Sequence, residues 1–256
     1  MSLRFSSLGS GSEGNALVAQ VNKSTIMLDC GFGLAETEMR LGRAGLTPQD
    51  VDAILVTHEH SDHIGGVVRF SRKHRIPVWL THGTAKFLDR DAIDASLLNS
   101  VDPHQEFAVG DVQVTPYLVP HDAYEPVQYV FSDGASRLGV LTDTGTITAH
   151  IESTLARCDA LVLECNHDLD MLMNGPYPAS LKKRVSGRFG HLDNGAAASL
   201  LRNLDCSRLK HVLAAHLSKR NNQPQLAQAA LAGALSCESD WIGIARQDTG
   251  FAWREI

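Results

Sequence analysis

The sequence predicts an α/β fold, and three observations carry that prediction. Short apolar runs of strand length alternate with segments of helical spacing along nearly the whole chain, the pattern of sheets covered by helices. Gly, Asn, Asp and Ser clusters punctuate the runs. Several strand-like runs also end on a His or an Asp: His58 after 53–57, His121 after 112–119, Asp143 after 138–142 and His216 after 212–215.

Residues 3–8 read as a strand, 9–15 as a Gly-Ser loop, and 16–21 and 25–29 as two further strands. Asp29-Cys30-Gly31-Phe32-Gly33 breaks that pair, and helical spacing over 34–44 stops at Gly45. After the strand at 53–57, residues 64–74 read as a helix, 77–81 as a strand and 84–90 as the start of another helix. The runs 127–131 and 138–142 flank Ser132-Asp133-Gly134, a hairpin signal. A helix over 148–157, a strand over 160–164, an Ala/Leu helix over 195–204, a strand over 212–215 and a helix over 224–235 follow. Two short strands, 241–245 and 250–253, end the pattern. With no repeat, low-complexity tract or linker, residues 1–256 read as one domain, and 43% hydrophobic residues suffice for a sizeable core. Two similar halves of strands and helices fit a two-layered sandwich.

Composition excludes some classes. No run of about 18 apolar residues is present, and Met1-Ser2-Leu3-Arg4 leads into a strand rather than a signal-peptide core, so a soluble, cytoplasmic protein without a membrane partner is expected. Cys30, Cys158, Cys165, Cys206 and Cys237 are scattered and odd in number, which argues against a disulfide framework or zinc knuckle and for small buried hydrophobes. The net charge of -6 does not suit a protein that coats nucleic acid. Residues 182–220 run the other way: Lys182, Lys183, Arg184, Arg188, Arg202, Arg208, Lys210, Lys219 and Arg220 face only Asp193 and Asp205. That excess reads either as phosphate neutralisation or as a solvated helix face. Nothing in the sequence specifies an oligomer.

The densest chemistry lies in His58-Glu59-His60-Ser61-Asp62-His63, four potential metal ligands just past an apolar run. They emerge where that strand leaves the core, at the mouth of a sheet. A hydrolytic two-metal site needs several neutral imidazoles, a carboxylate between the ions and positions open to water. His58 and His60 can turn to one ion while Asp62 and His63 face another, with the ions about 3.5 to 4 Å apart and sharing a hydroxide. Imidazole-rich donors suit Zn2+, and oxygen donors at exchangeable sites also accept Mn2+, so two divalent ions of either kind are the expected cofactors. His74, His82, His104 and His150 lack such a context and read as surface or packing residues.

Residues 57–65 resemble the signature of the metallo-β-lactamase fold, and the likeness extends over nearly the whole chain. It implies a four-layer αββα sandwich with its metals at one edge. It also implies that His58, His60 and His121 hold one ion, that Asp62, His63 and His216 hold the other, and that Asp143 bridges them. His191 and His211 compete for the place given to His216. Fold does not fix activity, because this sandwich hosts lactam, thioester and phosphodiester hydrolysis. His216-Leu217-Ser218-Lys219-Arg220 resembles the His-Phe/Ile-Ser-x-Arg stretch of the tRNA 3′-processing endonucleases, tRNase Z. Gly190-His191-Leu192 opens a helix much as that family's second, non-ligand histidine does. By this likeness His191 is the general acid, oriented by Glu164; the alternative is a helix cap at a loop.

A closer likeness is to the WalJ (YycJ) group of metallo-β-lactamase-fold exonucleases. It rests on Leu8-Gly9-Ser10-Gly11-Ser12-x-Gly14-Asn15, on His121-Asp122-Ala123-x-Glu125-Pro126-Val127, and on Glu164-x-Asn166-His167-Asp168. Gly175-Pro176-Tyr177-Pro178, Leu181-Lys182, Gly190-His191-Leu192-x-Asn194 and Asn221-Asn222-x-Pro224 complete it. The group implies a cytoplasmic, metal-dependent nuclease acting on DNA, from the 5′ end. Nothing between His63 and His121 resembles the Gly/Pro-rich arm of tRNase Z, and no β-CASP domain fits within 256 residues, so tRNA or mRNA processing loses weight.

The expected chemistry is in-line attack by the shared hydroxide, steered by Asp62, with His191 protonating the departing oxygen. Lys182, Lys183 or Arg184 would offset the added charge. Ser10, Ser12 and Asn15 would offer backbone donors to a phosphate, unless their loop only turns the chain. Asn166, His167 and Asp168 read as cleft lining, and Ser218 and Asn221 as substrate contacts. The rival enzyme reading is a hydrolase of small thioesters, lactones or cyclic phosphodiesters; a non-catalytic binding protein with a vestigial site is the third.

Overall fold

The computed structural model describes residues 2–88 and 93–256. Among them, fourteen strands form two seven-stranded sheets. The first takes β1 (Leu3–Gly9), β2 (Ala16–Val21), β3 (Ser24–Leu28), β4 (Ala53–Leu55), β5 (Val78–Leu80) and β6 (Leu98–Ser100), with β14 (Phe251–Glu255) returning beside β1. The second takes β7 (Phe107–Val109), β8 (Val112–Leu118), β9 (Val127–Ser132), β10 (Arg137–Leu141), β11 (Ala160–Glu164), β12 (His211–Ala215) and β13 (Gly243–Ile244), in chain order across the sheet. Each sheet is antiparallel in one part and parallel in the other, β3 to β6 and β10 to β13.

The parallel strands explain the continuous apolar runs. Successive side chains point to opposite faces, and both faces are covered, so every position must be apolar. In β4, Ala53 and Leu55 enter the core between the sheets while Ile54 packs outward. In β11, Ala160 and Val162 face inward and Leu161 and Leu163 outward. The outer face of the first sheet is covered by α1 (Leu34–Arg43) and α3 (Val67–His74), through Leu41, Val67 and Phe70. The second is covered by α5 (Ala149–Leu155), α8 (Asn194–Asn203) and α9 (Pro224–Leu235), through Leu155, Leu200 and Leu231. The result is the four-layer αββα sandwich, with three apolar seams. No helix among the described residues is long and apolar enough to cross a membrane. All five cysteines are free, and Cys30, Cys158 and Cys165 are buried.

Several elements depart from the sequence reading. The helix expected over 64–74 is two, α2 (Ser61–Ile64) and α3, because Gly65-Gly66 bends the chain against the Cys30–Phe32 loop. A Cβ on Gly66 would lie 1.9 Å from the Phe32 carbonyl oxygen. The helix expected to start at Thr84 is the short α4 (His82–Ala85), and Arg90 lies outside the described residues. The strand expected over 241–245 shrinks to β13, its first residues forming a 3-10 turn that ends at Trp241. The strands β6 and β7 and the helices α6 (Leu169–Asn174) and α7 (Ala179–Val185) have no counterpart in the sequence reading.

Candidate metal centre and active site

Asp29, His58, Asp143 and His216 each lie just past the end of a parallel strand (β3, β4, β10 and β12), and Glu164 closes β11. This is the edge where open α/β sheets place their sites. Asp29, Asp143 and His216 all adopt left-handed backbone, with φ of 60°, 49° and 54°. Each strand therefore ends in a sharp bend, a conformation that costs a non-glycine residue of order 1 kcal/mol or more, which turns Asp143 and His216 into a common cleft and Asp29 onto His63 behind it.

The first cluster is His58, His60 and His121. His58 Nε2 and His121 Nε2 lie 3.1 and 3.2 Å from His60 Nδ1. The tautomers follow from the partners on the far side of each ring. His121 Nδ1 lies 3.0 Å from the Gly190 carbonyl oxygen, which only accepts, so Nδ1 donates and Nε2 carries a lone pair. The Thr57 hydroxyl donates to Asp29, so it accepts from His58 Nδ1 at 2.9 Å, leaving a lone pair on His58 Nε2 as well. Two lone pairs thus face His60 Nδ1, and with one nitrogen of each ring within 4.8 Å of the others the three imidazoles form a donor set that a divalent ion can take. Burial, joined by the neighbouring charge of His63, holds His58 well below the usual histidine range, and burial lowers His121. Both rings are thus neutral and fit to ligate.

The second cluster is Asp62, His63 and His216. Asp62 Oδ2 lies 3.4 Å from His216 Nε2 and 3.5 Å from His63 Nε2. Asp143 stands between the clusters, its Oδ2 3.0 Å from His63 Nε2 and its Oδ1 4.0 Å from His121 Nε2. Its Oδ2 is buried without a hydrogen-bond partner despite that approach, an orphaned acceptor of the kind a bridging cation satisfies. Burial would raise the Asp143 carboxyl, but the charges of His216 and His63 hold it well below the usual carboxylate range. The residues present therefore fit two divalent ions.

Asp29 is the residue that sequence reasoning missed. In sequence it belongs to a turn, yet its carboxylate accepts from Thr57 N at 2.8 Å and from His63 Nδ1 at 2.8 Å, which fixes the ring with Nε2 toward Asp143. Gly31 is required two residues later: a Cβ there would stand 1.8 Å from the Asp62 carbonyl oxygen.

His191 lies beside the clusters. Its Nδ1 donates to Glu164 Oε1 at 2.7 Å, and its ring stacks on that of His216 with centroids 5.4 Å apart. Glu164 Oε2 accepts from Thr144 N at 2.9 Å and Leu192 N at 3.3 Å, so the carboxylate is pinned. Burial disfavours the His191 imidazolium, but the charge and hydrogen bond of Glu164 overcome it and raise the ring above its usual range. With Nδ1 committed to Glu164, Nε2 is the nitrogen left for the cleft. His211, the other alternative for a ligand place, lies at the opposite end of β12 against the Glu255 carbonyl oxygen, at 3.2 Å.

The cleft holds about 360 Å³ and is lined by His60, Asp62, Asp143, His191 and His216, with Ser12, Arg184, Ser218 and Asn221 at its walls. The Arg184 guanidinium pairs with Asp122 at 2.7 Å. Asn221 is buried with its Oδ1 unpartnered. Beyond Ser12, Tyr177 and Ser218 the cleft continues into a cavity of about 740 Å³ that carries Lys219, Arg220 and Arg246.

Other expected contacts are placed elsewhere. Ser10 N donates to the Arg246 carbonyl oxygen and Asn15 N to that of Asp62, so neither backbone N–H is free for a phosphate. The Ser10 hydroxyl instead accepts from His216 N at 2.9 Å, which makes this loop a brace for the second cluster. Lys182 Nζ donates to the Met173 carbonyl oxygen, and neither Lys182 nor Lys183 lines the cleft. Asn166 does line it, whereas His167 is buried away from it and Asp168 caps α6.

Comparison with known proteins agrees with this architecture. A family profile described as "Beta-lactamase superfamily domain" matches residues 24–216. The chain is 34% identical over 251 residues to the Exodeoxyribonuclease YycJ of Bacillus anthracis, covering 95% of this chain and 93% of that protein. It is 32% identical over 248 residues to the Exodeoxyribonuclease WalJ of Streptococcus pneumoniae, covering 94% and 91%. The crystal structure of the metallo-β-lactamase fold protein YhfI from Bacillus subtilis superposes over 100% of both chains with a TM-score of 0.75 at 15% identity, a likeness of fold. With His and Asp clusters at its strand ends and full-length similarity to YycJ and WalJ, the chain belongs to the metallo-β-lactamase superfamily.

Proposed function

We propose that this metal-dependent hydrolase is a DNA exonuclease, acting from the 5′ end, that cleaves phosphodiesters at a two-metal centre. The observation that carries the reading is His191, held 2.7 Å from a buried carboxylate beside the ligand clusters and raised in pKa. A phosphodiester's leaving alkoxide needs a proton, whereas a thiolate leaves without one, so a built general acid favours phosphodiesters over thioesters. The full-length similarity to YycJ and WalJ supports DNA as the substrate.

His58, His60 and His121 would hold one divalent ion, Zn2+ or Mn2+, and Asp62, His63 and His216 the other, with Asp143 between them. Bound there, the ions supply positive charge to the phosphate and acidify water for attack. The protein does the rest. Asp62, a fifth exposed and facing the cleft, steers the attacking water. Arg184 at the cleft wall offsets phosphate charge, and its pairing with Asp122 fixes its position. His191 Nε2–H gives its proton to the departing oxygen while Glu164 keeps the imidazolium oriented and stabilised.

The test is degradation of end-labelled single- and double-stranded DNA by metal-loaded protein, with Asp62→Ala and His191→Ala beside it. Stepwise loss from the 5′ end, abolished by the first substitution and slowed about 100-fold or more by the second, is expected. Hydrolysis of a thioester or lactone with intact DNA would overturn the reading.

A further inference from the structure

The loops next to those of His60 and His121 carry a feature that phosphodiester chemistry does not use. Tyr124 is 70% exposed and Phe87 50%, yet their rings pack on each other with centroids 4.7 Å apart. A third aromatic, Phe189, is half exposed, with the Arg188 guanidinium 5.0 Å above its ring. An exposed, mutually packed aromatic pair on loops that adjoin a polar cleft marks a place where something binds.

The platform is tied to the site by hydrogen bonds. Tyr124 N donates to Glu59 Oε1 at 2.9 Å, and Glu59 lies between the ligands His58 and His60. Phe87 follows α4, whose Gly83 N donates to Glu125 Oε2 at 2.6 Å while Thr81 Oγ1 donates to the Glu125 carbonyl oxygen at 2.9 Å. On the far side, Asp122 N donates to the Phe189 carbonyl oxygen at 3.0 Å. The aromatic rings therefore stand on loops joined to those that carry His60 and His121, with Lys86 beside Phe87 in the chain and the Arg188 guanidinium over Phe189.

We propose that Tyr124 and Phe87 form a base-stacking platform for single-stranded DNA, receiving an unpaired base next to the phosphate held in the cleft. This rests on the nuclease reading above and adds the strand state of the substrate. The two rings are tilted 55° to each other, so the outward face of one ring, braced by the other, meets the base, and stacking tolerates any base because every base has a π-face. In a duplex those faces are already covered by neighbouring bases, so the platform selects for a single strand or a frayed end.

The experiment uses metal-loaded full-length protein and an oligodeoxythymidylate in which one abasic residue is moved stepwise along the strand. For the wild type, an abasic residue at one or two positions near the scissile bond should raise KM about 5-fold or more, the size of one lost stacking contact. In Tyr124→Ala the intact oligonucleotide should already show that rise, and the abasic residue at the same positions should add nothing; Tyr124→Phe should keep the wild-type response. Abasic sensitivity that persists in Tyr124→Ala and Phe87→Ala, with DNA still cleaved, overturns the platform and leaves the nuclease standing. Sedimentation showing a dimer that Tyr124→Ala dissolves also overturns it, by assigning the patch to a second copy. If the wild type cleaves no DNA, the nuclease reading fails and the platform with it.

Discussion

Replacing Glu164 by Gln keeps the side chain's shape and removes its charge, which isolates what that charge does for His191. The two groups meet at 2.7 Å, with Glu164 fully buried and the His191 side chain 21% exposed. A hydrogen bond to a charged partner contributes about 1.5 to 3 kcal/mol, so its loss should lower the His191 pKa and leave about 10- to 100-fold less of the ring protonated at alkaline pH. An acid catalyst works only while protonated. The alkaline limb of kcat/KM for an oligonucleotide should therefore move to lower pH. The substitution also turns an amide toward Thr144 N or His191 Nδ1, so one donor faces another, at a cost of about 1 to 3 kcal/mol. For a chain of this size that lowers Tm by roughly 2 to 12 °C. Steady-state rates across pH on metal-loaded protein, with Tm measured beside them, check both. An alkaline limb that stays in place in folded, metal-loaded Glu164→Gln would falsify the assignment of His191 as the acid.

Three further outcomes are expected. Asp62→Ala should bind fewer ions per chain, read by elemental analysis, and lose activity by about 100-fold or more; full metal content with wild-type rates would contradict its place in the second cluster. Asp29→Ala strips a buried acceptor from Thr57 N and His63 Nδ1, so it should destabilise the protein by about 2 to 4 kcal/mol and weaken metal binding about 10- to 100-fold, measured by thermal unfolding and metal titration. In chelated protein, burial disfavours protonated His216, but the charge of Asp143 and the bonds to Asp62 and Glu164 raise it from 6.5 to about 10. Because the folded value is the higher one, that stabilisation is complete below 6.5 and is lost as pH rises toward 10. The Tm of chelated protein should thus decline across that window, and a flat profile would count against the His216 environment.

Much of this architecture was legible because the buried strands leave no choice of residue. The run 160–164 is apolar on both faces up to its closing Glu164 and matches β11 residue for residue, and 16–21 matches β2 in the same way. What escaped was what packs weakly. β6 and β7 are edge strands, half exposed, with no clean alternation to read. α7 buries none of its residues and α6 only Leu172, so neither shows an apolar stripe. The site divides in the same way. His58 to His63 is local and visible in six residues, whereas Asp29 acts on Thr57 and His63, 28 and 34 positions away, and looks in sequence like an ordinary turn. Lys182 misled for the opposite reason: its charge suggested a phosphate, but its ammonium is spent on the Met173 carbonyl.

The left-handed bends at Asp29, Asp143 and His216 reach beyond geometry. Each carries a backbone cost that glycine would not, and the chain bears that cost at three positions that aim side chains at the clusters. The folded chain without ions is a tensioned state, and ligation offsets that tension by favouring the native form over the unfolded one. Metal supply would then set how long the protein survives as well as how fast it works. In a metal-starved cell the apo chains would be the ones that open and meet proteases, so the pool of protein would shrink toward the ions available to it.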